Sequence, residues 1–173
     1  MTDAPARLCV IPVRSGSKGL AHKNIRPFLG KPLLAHSVEQ ARDSNRFSHI
    51  AVSSDSRDYL DKASAAGATD LVERPAKLAS DTAGSIDVLL HALEICEARA
   101  GHVFETICLL QATSPLRRPS DIADAIETLE TGDLDAVLGV MQAKGSPYAT
   151  LLEPGDGGSY VLSKQPEHAV TRR

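Results

Sequence analysis

The sequence predicts an α/β fold, a mostly parallel sheet flanked by helices, and three observations carry that prediction. Strand-length apolar runs alternate with amphipathic helical stretches from residue 7 to residue 131, a rhythm that calls for right-handed crossovers and a parallel sheet. The first run, RLCVIPV, is continuously apolar rather than alternating, as in a strand buried on both faces. Three of the richest polar loops (14–24, 53–56 and 111–118) follow the carboxyl ends of predicted strands, where open α/β sheets place their ligands.

Taken in order, residues 7–13 form the first strand. KPLLAHSVEQARD (31–43) sets Leu34, Val38 and Ala41 on one helical face, with Pro32 suited to the first turn. HIAVSSD (49–55) reads as a second strand with a polar end, and 56–67 as a short helix closed by Gly67. A brief strand is expected near 69–73. Residues 85–100 form the clearest helix, with Ile86, Leu89, Leu90, Leu93 and Cys96 as its stripe and Ser85 as its N-cap. Strand 104–111, a helix over 120–131 through Ile122, Ile126 and Leu129, and a fifth strand over 135–141 complete the pattern. Beyond Met141 the rhythm ends, and 147–163 reads as a hairpin around a Gly-rich turn.

At 173 residues the chain fits a single domain-sized core. A formal net charge of −3 argues against a nucleic-acid binder, and with aromatic residues at 3% and no Trp, base stacking is a poor way to hold a nucleotide. Cys9, Cys96 and Cys108 lie in apolar runs without metal-ligand spacing, which reads as reduced, buried thiols. No apolar run reaches the roughly 20 residues of a membrane span. The expected location is cytoplasmic.

The stretch IPVRSGSKGLAHKN, residues 11–24, asks for an explanation. Its small residues Ser15, Gly16 and Ser17 let backbone N–H groups converge on an anion, while Arg14, Lys18 and Lys23 neutralise charge. Each charge-assisted hydrogen bond contributes about 1.5–3 kcal/mol, so two or three suffice to dock a triphosphate. The alternative is a solvated turn carrying scattered basic residues. It is not a Walker A loop, because the only Gly-Lys pair, Gly30–Lys31, precedes Pro32. Nor is it G-x-G-x-x-G. Asp55 suits a nucleotide or metal contact and a plain polar strand end equally, Asp81 suits helix capping or ligation, and the six histidines show no triad or H-x-E spacing.

IPVRSGSKGLAHKNIRPFLGKPLLAHSVEQA, VSSDS, ERPAKLASDTAGSIDVLLHALE and LLQATSPLRRPSDI occur in that order, and together they resemble the acylneuraminate cytidylyltransferases, the CMP-sialic acid synthetases. Pseudaminic and legionaminic acid cytidylyltransferases share the opening loop. The resemblance implies a Rossmann-like, mostly parallel sheet of the nucleotide-diphosphosugar-transferase type, with a protruding hairpin dimerisation arm. It also implies CTP and a nonulosonic (sialic-type) acid as substrates, Mg²⁺ as cofactor, and a homodimer. On this resemblance Arg14, Ser15, Gly16, Ser17, Lys18, Lys23 and Asn24 match positions around the phosphates and ribose, with Arg14, Lys18 and Lys23 as catalytic cations. Arg74 and Ser85 match the cytosine end, and Gln111, Thr113 and Ser114 the acceptor side. Arg173 is expected to serve a sugar carboxylate.

Ala112 stands where the family usually has proline, and Gly84 where serine is common. The expected division is a nucleotide-binding α/β domain over 1–141 and a hairpin arm over 142–173. The family's NG-aromatic segment and paired-aspartate metal motif have no match among these residues, so the metal ligands stay unassigned. Two functions are therefore expected: CMP transfer from CTP to a nonulosonic acid with pyrophosphate release, or CTP binding without turnover.

Overall fold

The structure, a computed structural model, describes residues 5–17, 19–80, 82–132, 134–140, 152–154 and 160–162. The chain divides into two compact units, 1–137 and 138–173. In the first, strands β1 (Arg7–Pro12), β4 (His49–Ser54), β5 (Asp70–Glu73) and β6 (Thr106–Leu109) form one sheet in the order β5-β4-β1-β6. Every pairing in it is parallel. The chain runs outward from β1 to β5, then returns to place β6 on β1's other side. In open α/β sheets such a reversal, here at the carboxyl ends of β1 and β6, is where ligands bind.

The unbroken apolar run of β1 has a direct cause. Cys9, Ile11 and Val13 pack on one face of the sheet with Leu34, Val38, Leu60, Ile122 and Ile126. Those partners come from α1 (Leu33–Asp43), α2 (Arg57–Ala65) and α4 (Pro119–Thr131). Leu8 and Val10 face the other way, onto Ala92 and Cys96 of α3 (Ser85–Ala100). Successive side chains alternate across a strand, so burial on both sides leaves no polar position. Each large aliphatic buried this way contributes about 1.5–3 kcal/mol.

Gly67 closes α2 as expected, at φ 101° with its N–H on the Ser64 carbonyl at 3.0 Å. A small hairpin that the sequence reading lacks joins β2 (Pro27–Phe28) to β3 (Lys31–Pro32). Its central residues Leu29 and Gly30 both take positive φ, 47° and 83°, as a type I′ turn requires. Pro32 consequently caps α1 from outside instead of sitting in its first turn.

Three expectations are corrected. The fifth strand over 135–141 is not formed in the described part, 135–140, where Leu138 and Val140 are 82% and 89% exposed. A strand needs a ladder partner and covered faces, which an apolar run alone does not supply. The stripe of α3 is rotated: Val88, Ala92 and Cys96 are buried, whereas Ile86 and Leu90 face outward. This helix is apolar around most of its circumference, and the small Ala92 and Cys96 let it approach the sheet closely. Finally, Gly84, with extended φ −68° and ψ 144°, is the N-cap, and Ser85 is the first helical residue.

In the second unit, β7 (Leu152–Pro154) and β8 (Tyr160–Leu162) pair antiparallel, Leu152 opposite Leu162. The rest of the expected hairpin lies outside the described residues.

Candidate active site

Four loops gather at the carboxyl ends of the parallel strands, and the one after β1 is the most tightly held. Val13 N–H continues the ladder onto the Ser53 carbonyl at 2.9 Å. Beyond it, both oxygens of Asp55 accept from Ser15: Oδ1 from the backbone N–H at 2.8 Å and Oδ2 from the hydroxyl at 2.7 Å. Ser17 N–H folds back on the Ser15 carbonyl at 2.9 Å. The loop is therefore clamped at Ser15 by the strand end next door.

Gly16 sits one residue past that clamp, outside the left-handed φ region, and a Cβ built there would meet nothing within 4 Å. Neither backbone torsion nor internal packing accounts for a glycine at this position. What a bare backbone does provide is close approach for something outside the chain.

Two guanidinium groups flank the clamp. Arg14 donates to the Ser80 carbonyl at 3.0 Å and reaches the Ala79 carbonyl at 3.5 Å, joining the loop after β1 to the one after β5. Arg74 is 8% exposed and donates Nη2 to the Ser53 carbonyl at 2.6 Å and Nε to Ser53 Oγ at 3.1 Å. Burial lowers the Arg74 pKa and the positive Arg14 adds to that, while Asp55 opposes it. Burial pushes the Asp55 carboxyl up, but the bonds from Ser15, backed by the charge of Arg74, outweigh it and hold it below its ordinary value.

Behind the loop, buried Asn24 donates Nδ2 to the Arg14 carbonyl at 3.1 Å. Asn24 and Lys23 lie in a short 3₁₀ turn, Lys23–Ile25, preceded by His22 at φ 53°. His22 Nδ1 is 3.3 Å from the hydroxyl of Tyr59, a residue 1% exposed. Among the described residues Lys23 has no ion-pair partner.

On the other side of β1, the turn after β6 carries Gln111, Thr113 and Ser114, all exposed. Ala112, in place of proline, is buried in the core. Thr113 Oγ1 reaches Gln111 Oε1 at 3.5 Å, and the Gln111 carbonyl accepts from Ser114 N–H at 3.1 Å and from Arg117 at 3.2 Å.

The structure thus joins Arg14, Ser15 and Asn24 in one bonded cluster, with Gly16 and Ser17 on the same loop and Arg74 beside it. Gln111, Thr113 and Ser114 occupy a separate turn. Ser85 is exposed at the start of α3, and among the described residues no hydrogen bond unites its side chain with the others. Lys18, Asp81 and Arg173 lie outside the described residues. Sequence reasoning overlooked Ser53, Gln40 and Arg117 as site supports. The usable signal was Ser37 and Gln40, polar residues on or beside the inward stripe of α1.

Cys9 and Cys96 are not nucleophile candidates: burial, with the nearby Asp70 charge, pushes Cys96 up to about 11, and burial raises Cys9 well above its ordinary value; the hydrogen bond with Cys9 instead lowers Cys108. Among the described residues no group of three or more His, Cys, Asp and Glu side chains could hold a metal. Near the loop, Asp55 offers a carboxylate already engaged twice by Ser15. This donor set does not by itself fit a protein-built Mg²⁺ site. Among the described residues no helix is long and apolar enough to cross a membrane.

A cytidylyltransferase family model matches residues 8–155. Post-translational flagellin modification protein B of Campylobacter coli is 39% identical over 150 residues, covering 87% of this chain and 64% of that protein. The N-acylneuraminate cytidylyltransferase of Escherichia coli is 40% identical over 124 residues, 72% of this chain and 28% of that one. In fold, the chain is similar to a CMP:2-keto-3-deoxy-manno-octonic acid synthetase solved with CTP, at TM-score 0.59 and 22% identity, covering 73% of this chain and 48% of that one. The chain spans less than two thirds of the length of these relatives. With a match running from the first strand through the hairpin's β7, the chain belongs to the cytidylyltransferase family.

Proposed function

We propose that the chain transfers CMP from CTP to a nonulosonic acid with release of pyrophosphate. The observation that carries this reading is the clamped loop: Ser15 fixed on Asp55, bare Gly16 beside it, and Arg14 and Arg74 on either side of the clamp. The named relatives support the chemical class. Arg14, Lys18 and Lys23 offset phosphate charge, the amides of Ser15, Gly16 and Ser17 bind phosphate oxygens, and Asn24 holds the ribose side. Arg74 and Ser85 read the cytosine end. Gln111, Thr113 and Ser114 place the acceptor, and Arg173 serves its carboxylate.

The acceptor's anomeric oxygen attacks the α-phosphorus in line. The bond to the β-phosphate bridging oxygen breaks, pyrophosphate leaves, and the hydroxyl proton passes to solvent. Such a transfer depends on positioning and charge neutralisation more than on covalent help. As the cofactor, Mg²⁺ would be held by the triphosphate of CTP, since no group among the described residues would hold it, and would offset phosphate charge. The protein acts in the cytoplasm as a homodimer, with dimerisation assigned to residues 142–173 and nucleotide binding to residues 1–141.

Binding without turnover is the second reading, favoured by the missing acidic metal cluster among the described residues. Pyrophosphate release with CTP, Mg²⁺ and N-acetylneuraminate or its pseudaminic and legionaminic counterparts, measured beside nucleotide affinity, separates the two. CTP is expected to bind ten- to a hundredfold better than UTP, the value of about 1–3 kcal/mol for one well-placed hydrogen bond. Equal affinity for both overturns the nucleotide assignment. Tight CTP binding with no release on any of these acids supports the second reading.

A further inference from the structure

Under the exposed turn that follows β6 runs a polar network that reaches back to α1. Arg117 donates Nη1 to Gln40 Oε1 at 2.9 Å and Nη2 to the Gln111 carbonyl at 3.2 Å. Gln40 donates Nε2 to the Pro115 carbonyl at 2.6 Å, and buried Ser37 reaches the Gln111 carbonyl at 3.4 Å. Two carbonyls of one turn are thereby tied to a helix that is itself seated on the sheet through Leu34, Val38 and Ala41.

We propose that Arg117, held by Gln40, is a positioning residue that sets the Gln111 turn and so the acceptor half of the site, without touching the nucleotide. This rests on the cytidylyltransferase reading above. Within the turn itself, the Ser114 bond to the Gln111 carbonyl is local, and Thr113, Ser114 and Leu116 are exposed. Beyond buried Ala112, the turn's placement is therefore set by its bonds to α1. A guanidinium suits the task because its planar fork spans two acceptors at once, which a lysine ammonium does not reproduce. Arg117 is partly buried, its hydrogen bonds go to neutral acceptors, and Asp121 acts on its charge without an ion-pair contact, so its net contribution to stability is small. A purely apolar packing residue would serve the core without burying a charge.

The test uses the full chain with Arg117→Lys, Gln40→Ala and Gln40→Glu. For each variant it measures the melting temperature, the CTP dissociation constant and recognition of the acid, whichever of N-acetylneuraminate and its pseudaminic and legionaminic counterparts the parent takes best. Recognition is read as KM at saturating CTP where the chain turns over, and as a dissociation constant where it does not. Arg117→Lys and Gln40→Ala are expected to weaken recognition of the acid about tenfold, the effect of losing one such bond, with CTP affinity within twofold of the parent. Gln40→Glu keeps the acceptor for Arg117 but loses the donor to the Pro115 carbonyl, so it is expected to recover only part of the loss. Unchanged acid recognition in the first two variants overturns the proposal. So does a parallel loss of acid and CTP that tracks the melting temperature. A parent chain that binds CTP but none of these acids overturns the proposal and leaves the nucleotide reading standing. A parent that fails to bind CTP sinks the underlying reading instead.

Discussion

The two ends of the parallel sheet each gather arginines, and they use them in opposite ways. At the amino end Arg7 grips Glu130 with Nε and Nη2, and Arg46 lies 3.8 Å from Glu127, beside a cavity of about 720 Å³. At the carboxyl end Arg74 spends its guanidinium on Ser53, beside a cavity of about 230 Å³ lined by Ser54, Asp55 and Glu73 among others. A carboxylate cancels a guanidinium's charge, whereas a carbonyl satisfies its N–H groups and leaves the charge in place. The larger cavity is thus flanked by contact ion pairs, whereas Arg74 bonds a carbonyl and a hydroxyl and feels Asp55 only through space. This difference in bonding, more than cavity size, distinguishes the two ends.

The sharpest way to break this comparison is to remove one arginine from each end. Arg14→Ala is expected to weaken CTP binding about ten- to a hundredfold, the loss of charge-assisted hydrogen bonds worth about 1.5–3 kcal/mol. Arg7→Ala is expected to leave CTP affinity unchanged and to lower stability by about 1 kcal/mol through its ion pair. Calorimetric titration and urea unfolding of both variants check this. Equal losses of CTP affinity from the two ends would erase the distinction. Because Arg14 also bridges to Ser80, its variant is expected to lose some stability too, which the picture of a merely solvated cation lacks.

Gly16→Ala sharpens the same contrast without touching charge. The added Cβ points into open space, and at a compatible φ such a change stabilises the chain by about 0.4–1 kcal/mol through the unfolded state. If phosphate oxygens approach the backbone there, the methyl group stands in their way, and CTP affinity is expected to fall about tenfold, the scale of one lost hydrogen bond. Unfolding and titration of the one variant should therefore move in opposite directions. A variant that is both more stable and equally avid for CTP would remove the cradle from the site.

How much of this was legible beforehand follows from range. The β1 run and the polar loop after it are local signals, so strand, turn and candidate anion site could all be read from residues 7–24. Helix α4 was similarly readable, because Ile122 and Ile126 stand out against polar neighbours. The rotation of α3 was not, since a helix apolar all round carries no phase and only the facing Val10 and Ala51 choose one. Residues 135–140 failed for the complementary reason: β-forming composition does not say whether a neighbouring strand will accept the segment. Asp55 was visible as a candidate but not as the partner of Ser15, which lies 40 positions away. The tie between Gln40 and Arg117 spans 77 positions, and no spacing rule reaches that far.

The smallest expected effect concerns the clamp itself. Asp55 is held below its ordinary pKa because the Ser15 bonds outweigh burial, and a folded-state value lower than the unfolded one stabilises the fold above the unfolded pKa, near 3.9 for Asp. That contribution is lost as pH falls through the folded value. Asp55 is exposed enough that solvent screening trims it to about 1 kcal/mol or less. Asp55→Asn is therefore expected to be slightly less stable than the parent from neutral pH down to about 4, with the gap closing below that as the parent's carboxylate protonates. At the amino end Glu130 is also held low, by its hydrogen bond from Arg7 against the opposing effect of burial, so Glu130→Gln should show the same sign. What separates the two is location: only Asp55→Asn is expected to speed amide hydrogen exchange at Ser15, whose N–H it holds. Urea unfolding across pH with exchange at Ser15 reads both quantities. Unchanged Ser15 exchange in Asp55→Asn would mean that the loop is held by Arg14 and Asn24 instead of by the strand end beside it.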